Sequence, residues 1–228
     1  MRDTDLAAKP FHLDADAIAW VRQTLAKLTP DDKIRQLFNL RSAGDNPDWI
    51  ARQQAFRPGS VTRAPGPSAA REREIIAGFN AVAPTPLLVS ADLEGSRMSL
   101  PGGTEFPNPL ALAAIDDVDA TADVSRRMAI EAQAHALNWS FTPVLDINAA
   151  FRSAIVATRG FGSDVETIAR HALKQIDVFQ AHGIAATVKH WPGEGFDDRD
   201  QHLVTTVNPL SMPDWEARFG RLYRAAID

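Results

Sequence analysis

The 228-residue sequence predicts an α/β fold in which parallel strands close into a barrel wrapped by helices. Three observations carry this. Strand-like runs alternate with helical segments along the whole chain, the order of a repeated β/α unit. The clearest strand runs, 86–92 and 184–188, are apolar throughout, so helices cover both faces of the sheet. Polar residues collect just past the strands, at Asp92, Asp146, Asn148, Lys189 and His190, and in a barrel these rise around one rim. A doubly wound open sheet also binds ligands at strand ends. The run 86–92 lacks the G-x-G-x-x-G turn of such a site, and no G-x-x-x-x-G-K-[ST] occurs, so the barrel is preferred.

The elements follow in order. Residues 14–28 have helical spacing, with Ile18, Val21, Leu25 and Leu28 on one face. A second helix starts at Thr29-Pro30-Asp31-Asp32. Thr29 suits the N-cap, Pro30 the first helical position, and the two acids the positive end of the helix dipole. Ile34, Leu37 and Phe38 extend its apolar face. A short strand begins at Asn39-Leu40, and 43–48 is a polar turn. Residues 49–56 read as a helix stopped by Pro58-Gly59, 60–63 as a second strand, and 64–68 as a Pro/Gly loop before a helix over 69–82. The strand 86–92 leads into a Gly/Pro-rich loop, 93–109. A long helix over 121–137 precedes a strand over 139–148 and a long loop, 149–164. Residues 165–182 are helical, with Ile168, Ala172, Ile176 and Phe179 inward and Gly183 as C-cap. The strand 184–188 follows, and 213–227 is one more helix.

Composition narrows the function classes. A hydrophobic content of 45% with 23% charged residues is ordinary for a globular domain. A net charge of −5 argues against nucleic-acid binding, which needs a basic face. The chain has no cysteine, so disulfides and thiolate metal sites are excluded. No apolar run reaches ~18 residues, so no membrane helix is expected. Residues 1–6 show no apolar core of a signal peptide, which makes the cytoplasm the default expectation, with export the alternative for a trimmed N-terminus. The sequence sets no oligomeric state.

One stretch concentrates chemistry: Lys189-His190-Trp191-Pro192-Gly193-Glu194-Gly195-Phe196-Asp197-Asp198-Arg199-Asp200-Gln201-His202. It follows a buried strand, turns through Pro-Gly-x-Gly and carries many titratable groups, as proton transfer on a bound polar ligand requires. Taken singly, Asp92 reads as a turn acid, Arg159 as half of a salt bridge, Lys189-His190 as a solvated strand end, and His202 as a surface histidine beside Asp200.

Five segments change that weighting. Residues 28–37, L-T-P-D-D-K-I-R-Q-L, are similar to the usual start L-T-x-E-E-K-I-G-Q-L of glycoside hydrolase family 3. Residues 88–98, L-V-S-A-D-L-E-G-S-R-M, resemble its D-Q-E-G-G-R-V segment, and 141–148, F-T-P-V-L-D-I-N, its F-A-P-V-L-D-V-N. Arg159-Gly160-Phe161-Gly162-Ser163-Asp164 is similar to R-S-F-G-S-D, and 189–202 to K-H-F-P-G-H-G-x-x-x-x-D-S-H. The D-x-H ending resembles the β-N-acetylhexosaminidase branch.

The resemblance implies a TIM-type (β/α)8 barrel, with residues 1–228 as the N-terminal part of one barrel domain and roughly its first five β/α units. It implies retaining, exo-acting cleavage of a β-linked sugar, with no cofactor and no metal. By matching position, Asp92, Arg159, Lys189 and His190 hold the hydroxyls of the sugar. His202 matches the general acid/base, with Asp200 orienting its ring. The nucleophile, an Asp on a later strand, is expected beyond Asp228. Carbohydrate is the expected partner, with neither nucleic acid nor membrane.

Two positions depart from the pattern. Glu194 stands where the branch usually has His, and Leu100 where it often has a second Arg, a cation that bears on recognition of the acetamido sugar. Alternatives to the hexosaminidase are a β-glucosidase and an inactive sugar- or partner-binding homologue lacking the nucleophile. Asp146 and Asn148 read as braces of the rim, and His12, His135, His171 and His182 show no metal-ligand pattern.

Overall fold

Side-chain caps start the helices. In the structure, a computed structural model that describes residues 4–66 and 68–228, Asp14 accepts from the Ala17 N–H and opens α1 (Ala15–Lys27). The first residues read for a leader, 1–3, and Pro67 of the Pro/Gly loop lie outside the described residues. Thr29 opens α2 (Pro30–Arg35) through a reciprocal capping box with Asp32. Asn46, Ser68, Asn108, Asp117, Asp164 and Ser211 cap α3 (Pro47–Phe56), α4 (Ala69–Val82), α5 (Pro109–Ile115), α6 (Val118–Ala134), α7 (Val165–Ala181) and α8 (Met212–Trp215). Each side-chain oxygen satisfies a backbone N–H that the helix leaves unpaired.

Five strands form one parallel sheet: β1 (Asn39–Ala43), β2 (Ser60–Ala64), β3 (Leu88–Ala91), β4 (Trp139–Ser140) and β5 (Ala185–Ala186). Their spatial order is β1-β2-β3-β4-β5, each strand beside its predecessor. A doubly wound sheet reverses direction at a switch point. One-way winding of parallel β/α units is the arc of a barrel, as expected. All five strands therefore deliver their C-terminal ends to one rim.

Two apolar clusters hold the arc together. Val61, Val89, Ile75, Phe79, Met128, Phe179 and Ile184 pack where β2 and β3 meet α4, α6 and α7. Leu145, Ile147, Phe161, Ile168, Phe219 and Leu222 pack beneath the loops that follow β4 and β5. Among the described residues no helix is long and apolar enough to cross a membrane.

Several expectations need correction. The strand expected over 139–148 forms a ladder only at Trp139–Ser140. Pro143 has no N–H to continue it, and pairing resumes in pieces, with Thr187 N–H on the Thr142 carbonyl (3.1 Å) and Leu145 N–H on the Lys189 carbonyl (2.7 Å). Of the run 184–188, only Ile184 is buried, because β5 is paired on its β4 side alone among the described residues. No residue of α1 is buried, and Ile34, Leu37 and Phe38 are exposed, so these apolar faces lie outside the two clusters. Helix α5 went unforeseen because its seven residues are all apolar and have no periodicity to show. The helix expected over 213–227 runs as α8, a π turn at Glu216–Gly220, and α9 (Arg221–Ile227).

Candidate active site

The rim is built around two buried carboxylates. Glu94, two residues past the β3 acid Asp92, is 2% exposed. Its oxygens accept from Arg159 Nε (2.7 Å) and Nη2 (2.9 Å) in a two-point pair, and Lys189 Nζ lies 2.5 Å from Oε1. Lys189 Nζ also donates to Asp92 Oδ1 at 2.7 Å. Burial alone would raise the Glu94 carboxyl, but the Arg159 hydrogen bonds and the Lys189 charge outweigh it and hold the group below its ordinary range. One acid thus orients two cations of the site, from residues 65 and 95 positions away.

Asp146 is the second anchor and is fully buried. Its Oδ1 accepts from the backbone N–H of His190 (3.1 Å) and of Glu194 (2.9 Å), and its Oδ2 lies 2.5 Å from His190 Nδ1. Arg159 Nη2 approaches His190 Nε2 at 3.3 Å as a donor. With Arg159 as the donor, Nε2 is the accepting nitrogen and Nδ1 the one that donates to Asp146. Asp146 braces the rim as the sequence suggested. Asn148, its companion in that expectation, donates from Nδ2 to the Ala157 carbonyl at 3.2 Å.

The turn after His190 needs its glycines. Gly193 has φ +118°, and a Cβ there would lie 2.3 Å from a Phe219 ring carbon. Gly195 has φ +101°, and a Cβ would lie 2.1 Å from the Ile147 carbonyl oxygen. The C-terminal helical segment forms the floor of this turn. Phe219 is fully buried beneath it, and Trp215 Nε1 donates to the Pro192 carbonyl at 2.7 Å.

The loop then returns to the cleft. Asp200 Oδ1 accepts from the His202 N–H (2.8 Å) and lies 2.7 Å from His202 Nδ1. These bonds hold the Asp200 carboxyl below its ordinary range and leave Nε2 as the free ring nitrogen. The His202 side chain is 73% exposed.

One cleft of about 600 Å³ is lined by Asp92, Arg97, Phe141, Arg159, Lys189, His190, Glu194, Gln201 and His202 among others. The structure so brings five of the six residues singled out in the sequence to one cavity. Asp200 supports the sixth place from behind His202. The seat of Leu100 is elsewhere: it is buried with Phe106 and Met128 in the larger apolar cluster. Glu94 was missed as a functional residue. Its signal was its place two residues past Asp92, the same side of an extended chain. Arg97, an exposed cation of the same segment, was missed too.

Asp146, His190 and Glu194 place one ligand-type atom each within 4.8 Å of one another. Asp146 and both nitrogens of His190 are already engaged in the hydrogen bonds above, and Glu194 accepts from Gln201 Nε2. The set is a hydrogen-bond network, suited to fixing side chains and a tautomer. Burial, and then the facing Asp146, push the Glu194 carboxyl above its usual range.

The sequence that builds this rim matches a family model over residues 30–228, that of the glycosyl hydrolase family 3 N terminal domain. The chain belongs to glycoside hydrolase family 3. It is 40% identical over 225 residues to a β-N-acetylglucosaminidase/β-glucosidase of Cellulomonas fimi, covering 98% of this chain and 40% of that protein. Among solved structures it resembles the β-glucoside phosphorylase BglX bound to 2FGlc, with 33% identity and a TM-score of 0.88 over 99% of this chain and 41% of the other. A family 3 β-N-acetylglucosaminidase from Paenibacillus sp. FPU-7 gives 27% identity and a TM-score of 0.79 over 87% of this chain and 40% of its own. The family 3 chain thus spans about two fifths of the length of these relatives.

Proposed function

We propose that this chain is the N-terminal part of a barrel that removes a terminal β-linked sugar with retention of configuration, as a β-N-acetylhexosaminidase. The observation that carries the reading is the cleft itself. Short charged groups held by buried partners face one cavity, and an exposed imidazole oriented by a carboxylate stands at its edge. A sugar presents many hydroxyls, and Asp92, Lys189, Arg159 and His190 offer charge-assisted or oriented hydrogen bonds to them. His202 Nε2 protonates the departing glycosidic oxygen and then takes a proton from the incoming water. Retention needs a carboxylate on the opposite face to form the glycosyl–enzyme bond. That nucleophile belongs to a later strand of the barrel, beyond Asp228.

The test uses the full-length protein. Aryl β-N-acetylglucosaminide and aryl β-glucoside are compared, and the anomer first released is identified by proton NMR. Preference for the glucoside would replace the hexosaminidase by a β-glucosidase, and an α-anomer appearing first would reject retention. His202→Ala is expected to lower kcat/KM by about 10²–10⁴-fold for poor leaving groups and far less for dinitrophenyl glycosides, which need no proton.

A second reading concerns the acceptor. The structural likeness to a β-glucoside phosphorylase spans nearly the whole chain. An imidazole as acid/base places less negative charge at the acceptor position than a carboxylate would, so an inorganic phosphate oxygen can attack the glycosyl–enzyme bond in place of water. Reaction with and without phosphate decides between them: a glycosyl phosphate product supports phosphorolysis, and free sugar alone at saturating phosphate rejects it.

A further inference from the structure

Gln201 stands between the two residues of the His–Asp pair, and its side chain does something neither of them does. Within the turn 200–204, the hydrogen bonds of Asp200 and His202 are internal: the His202 N–H and ring, and the Leu203 and Val204 N–H groups, all go to Asp200. Among the described residues, the one hydrogen bond that leaves this turn is from Gln201 Nε2 to Glu194 Oε2. The far end of that bond is rigid. Glu194 donates its N–H to the buried Asp146, its carbonyl accepts from the Ile147 N–H (3.2 Å), and it lies between the two glycines that pack against Phe219 and Ile147. The near end carries an imidazole that is mostly exposed. Glu194 and Gln201 also form part of the wall between the sugar cleft and a smaller cavity of about 180 Å³ behind the loop.

We propose that Glu194 and Gln201 are positioning residues: their hydrogen bond holds the turn 200–204 against the barrel and so sets where His202 Nε2 meets the glycosidic oxygen. This rests on the reading of His202 as the acid/base. A proton donor displaced by about 1 Å costs on the order of 10²-fold in rate, so a single tether on an otherwise solvated turn has a measurable effect. Glu194, the departure from the family pattern, then has a role that its charge alone does not require. Any side chain at 194 that accepts from the Gln201 amide serves it.

The experiment uses the full-length enzyme and four variants. Gln201→Leu and Glu194→Ala remove the bond. Glu194→Gln keeps an acceptor oxygen while removing the charge, and His202→Ala is the control. Gln201→Leu and Glu194→Ala are expected to lower kcat/KM about 10–100-fold for poor leaving groups, much less for dinitrophenyl glycosides, with the Ki of the product sugar as a competitive inhibitor unchanged. Glu194→Gln should recover most of the activity lost in Glu194→Ala. In the His202→Ala background, Gln201→Leu should add no further loss. Equal losses on both leaving groups, or additive losses in the double variant, would overturn the tether. Should Gln201→Leu not fold, Gln201→Asn shortens the arm while keeping the amide, and it should show the same leaving-group dependence. The two levels fail differently. If His202→Ala is inactive on poor leaving groups but Gln201→Leu behaves as the parent, only the tether falls. If His202→Ala itself has no effect, the acid/base reading falls.

Discussion

Glu94 decides the electrostatics of the site at the scale of one residue. Two cations, Arg159 and Lys189, converge on it in a place that solvent barely reaches. Removing one partner of a buried ion pair leaves the others uncompensated, and this typically costs about 3–5 kcal/mol. Glu94→Gln should therefore lower stability by this order near neutral pH. The pH dependence has a definite sign. The carboxyl is held below its ordinary value of 4.5, so its ionised form stabilises the fold above that value. That contribution is lost as pH falls through the depressed folded-state value. The gap in unfolding midpoint between parent and Glu94→Gln should be widest near pH 7 and should shrink in acid below about pH 4.5. A gap independent of pH would show that Glu94 acts by packing and not by charge. Asp146 is the counterpart that fixes a ring and a turn where Glu94 fixes cations. Asp146→Ala should free the His190 ring to turn, and weaker affinity for the product sugar, with the fold retained, is the expected result.

The Pro-Gly-Glu-Gly turn is the element on which the site depends, and its two glycines differ in what they face. At Gly193 an added Cβ meets the buried Phe219 ring, a side chain that must shift to admit it. At Gly195 it meets a backbone carbonyl of the β4–α7 connection, which also accepts from the Ala149 N–H. Both have positive φ, where a Cβ costs about 1–3 kcal/mol in backbone strain before any clash. Gly195→Ala should therefore be the more damaging, and adding Phe219→Leu should rescue Gly193→Ala in part but leave Gly195→Ala unimproved. Thermal midpoints of the four variants test this, and equal rescue would refute the assigned contacts.

Much of this element was legible, because Pro-Gly-x-Gly after an apolar run admits neither strand nor helix. The helices were legible for the same local reason: the Thr29 cap, and the 3.6-residue spacing of Ile168, Ala172 and Phe179, are properties of short windows. What was not legible depended on distant partners. Its place two residues past Asp92 puts Glu94 near the site, but Arg159 and Lys189, which it holds, lie 65 and 95 residues away. Nothing local says that the ladder of β4 stops at Ser140, or that Leu100 turns into the core. Asp200 and His202 were found through the resemblance of 189–202 to the family motif, and a spacing of two residues suffices for their bond. The Gln201 tether was not found, because its partner lies on the other side of the loop.

At the scale of the whole molecule, the sheet has two strands paired on one side only among the described residues, β1 and β5. Exposed apolar side chains lie beside one of them in sequence and in the loop that follows the other. Leu37 is 84% exposed and Ile34 56% beside the start of β1, and Leu203 is 81% exposed past β5. An open parallel edge with apolar neighbours offers itself to any other strand, and soluble proteins cover such edges. A closed barrel removes them, and under the retaining mechanism proposed above its closing strands would also carry the second carboxylate. Closure and catalysis thus ask for the same piece of chain. Residues 1–228 expressed alone should bind anilinonaphthalene sulfonate, self-associate in size-exclusion chromatography and show no turnover even of dinitrophenyl glycosides. The same residues followed by the remaining barrel sequence should be silent to the dye, monodisperse and active. Should the 228-residue piece instead be dye-silent, monomeric and cooperative in unfolding, the five β/α units would already be a self-sufficient fold. The free sides of β1 and β5 would then need no later strands to cover them.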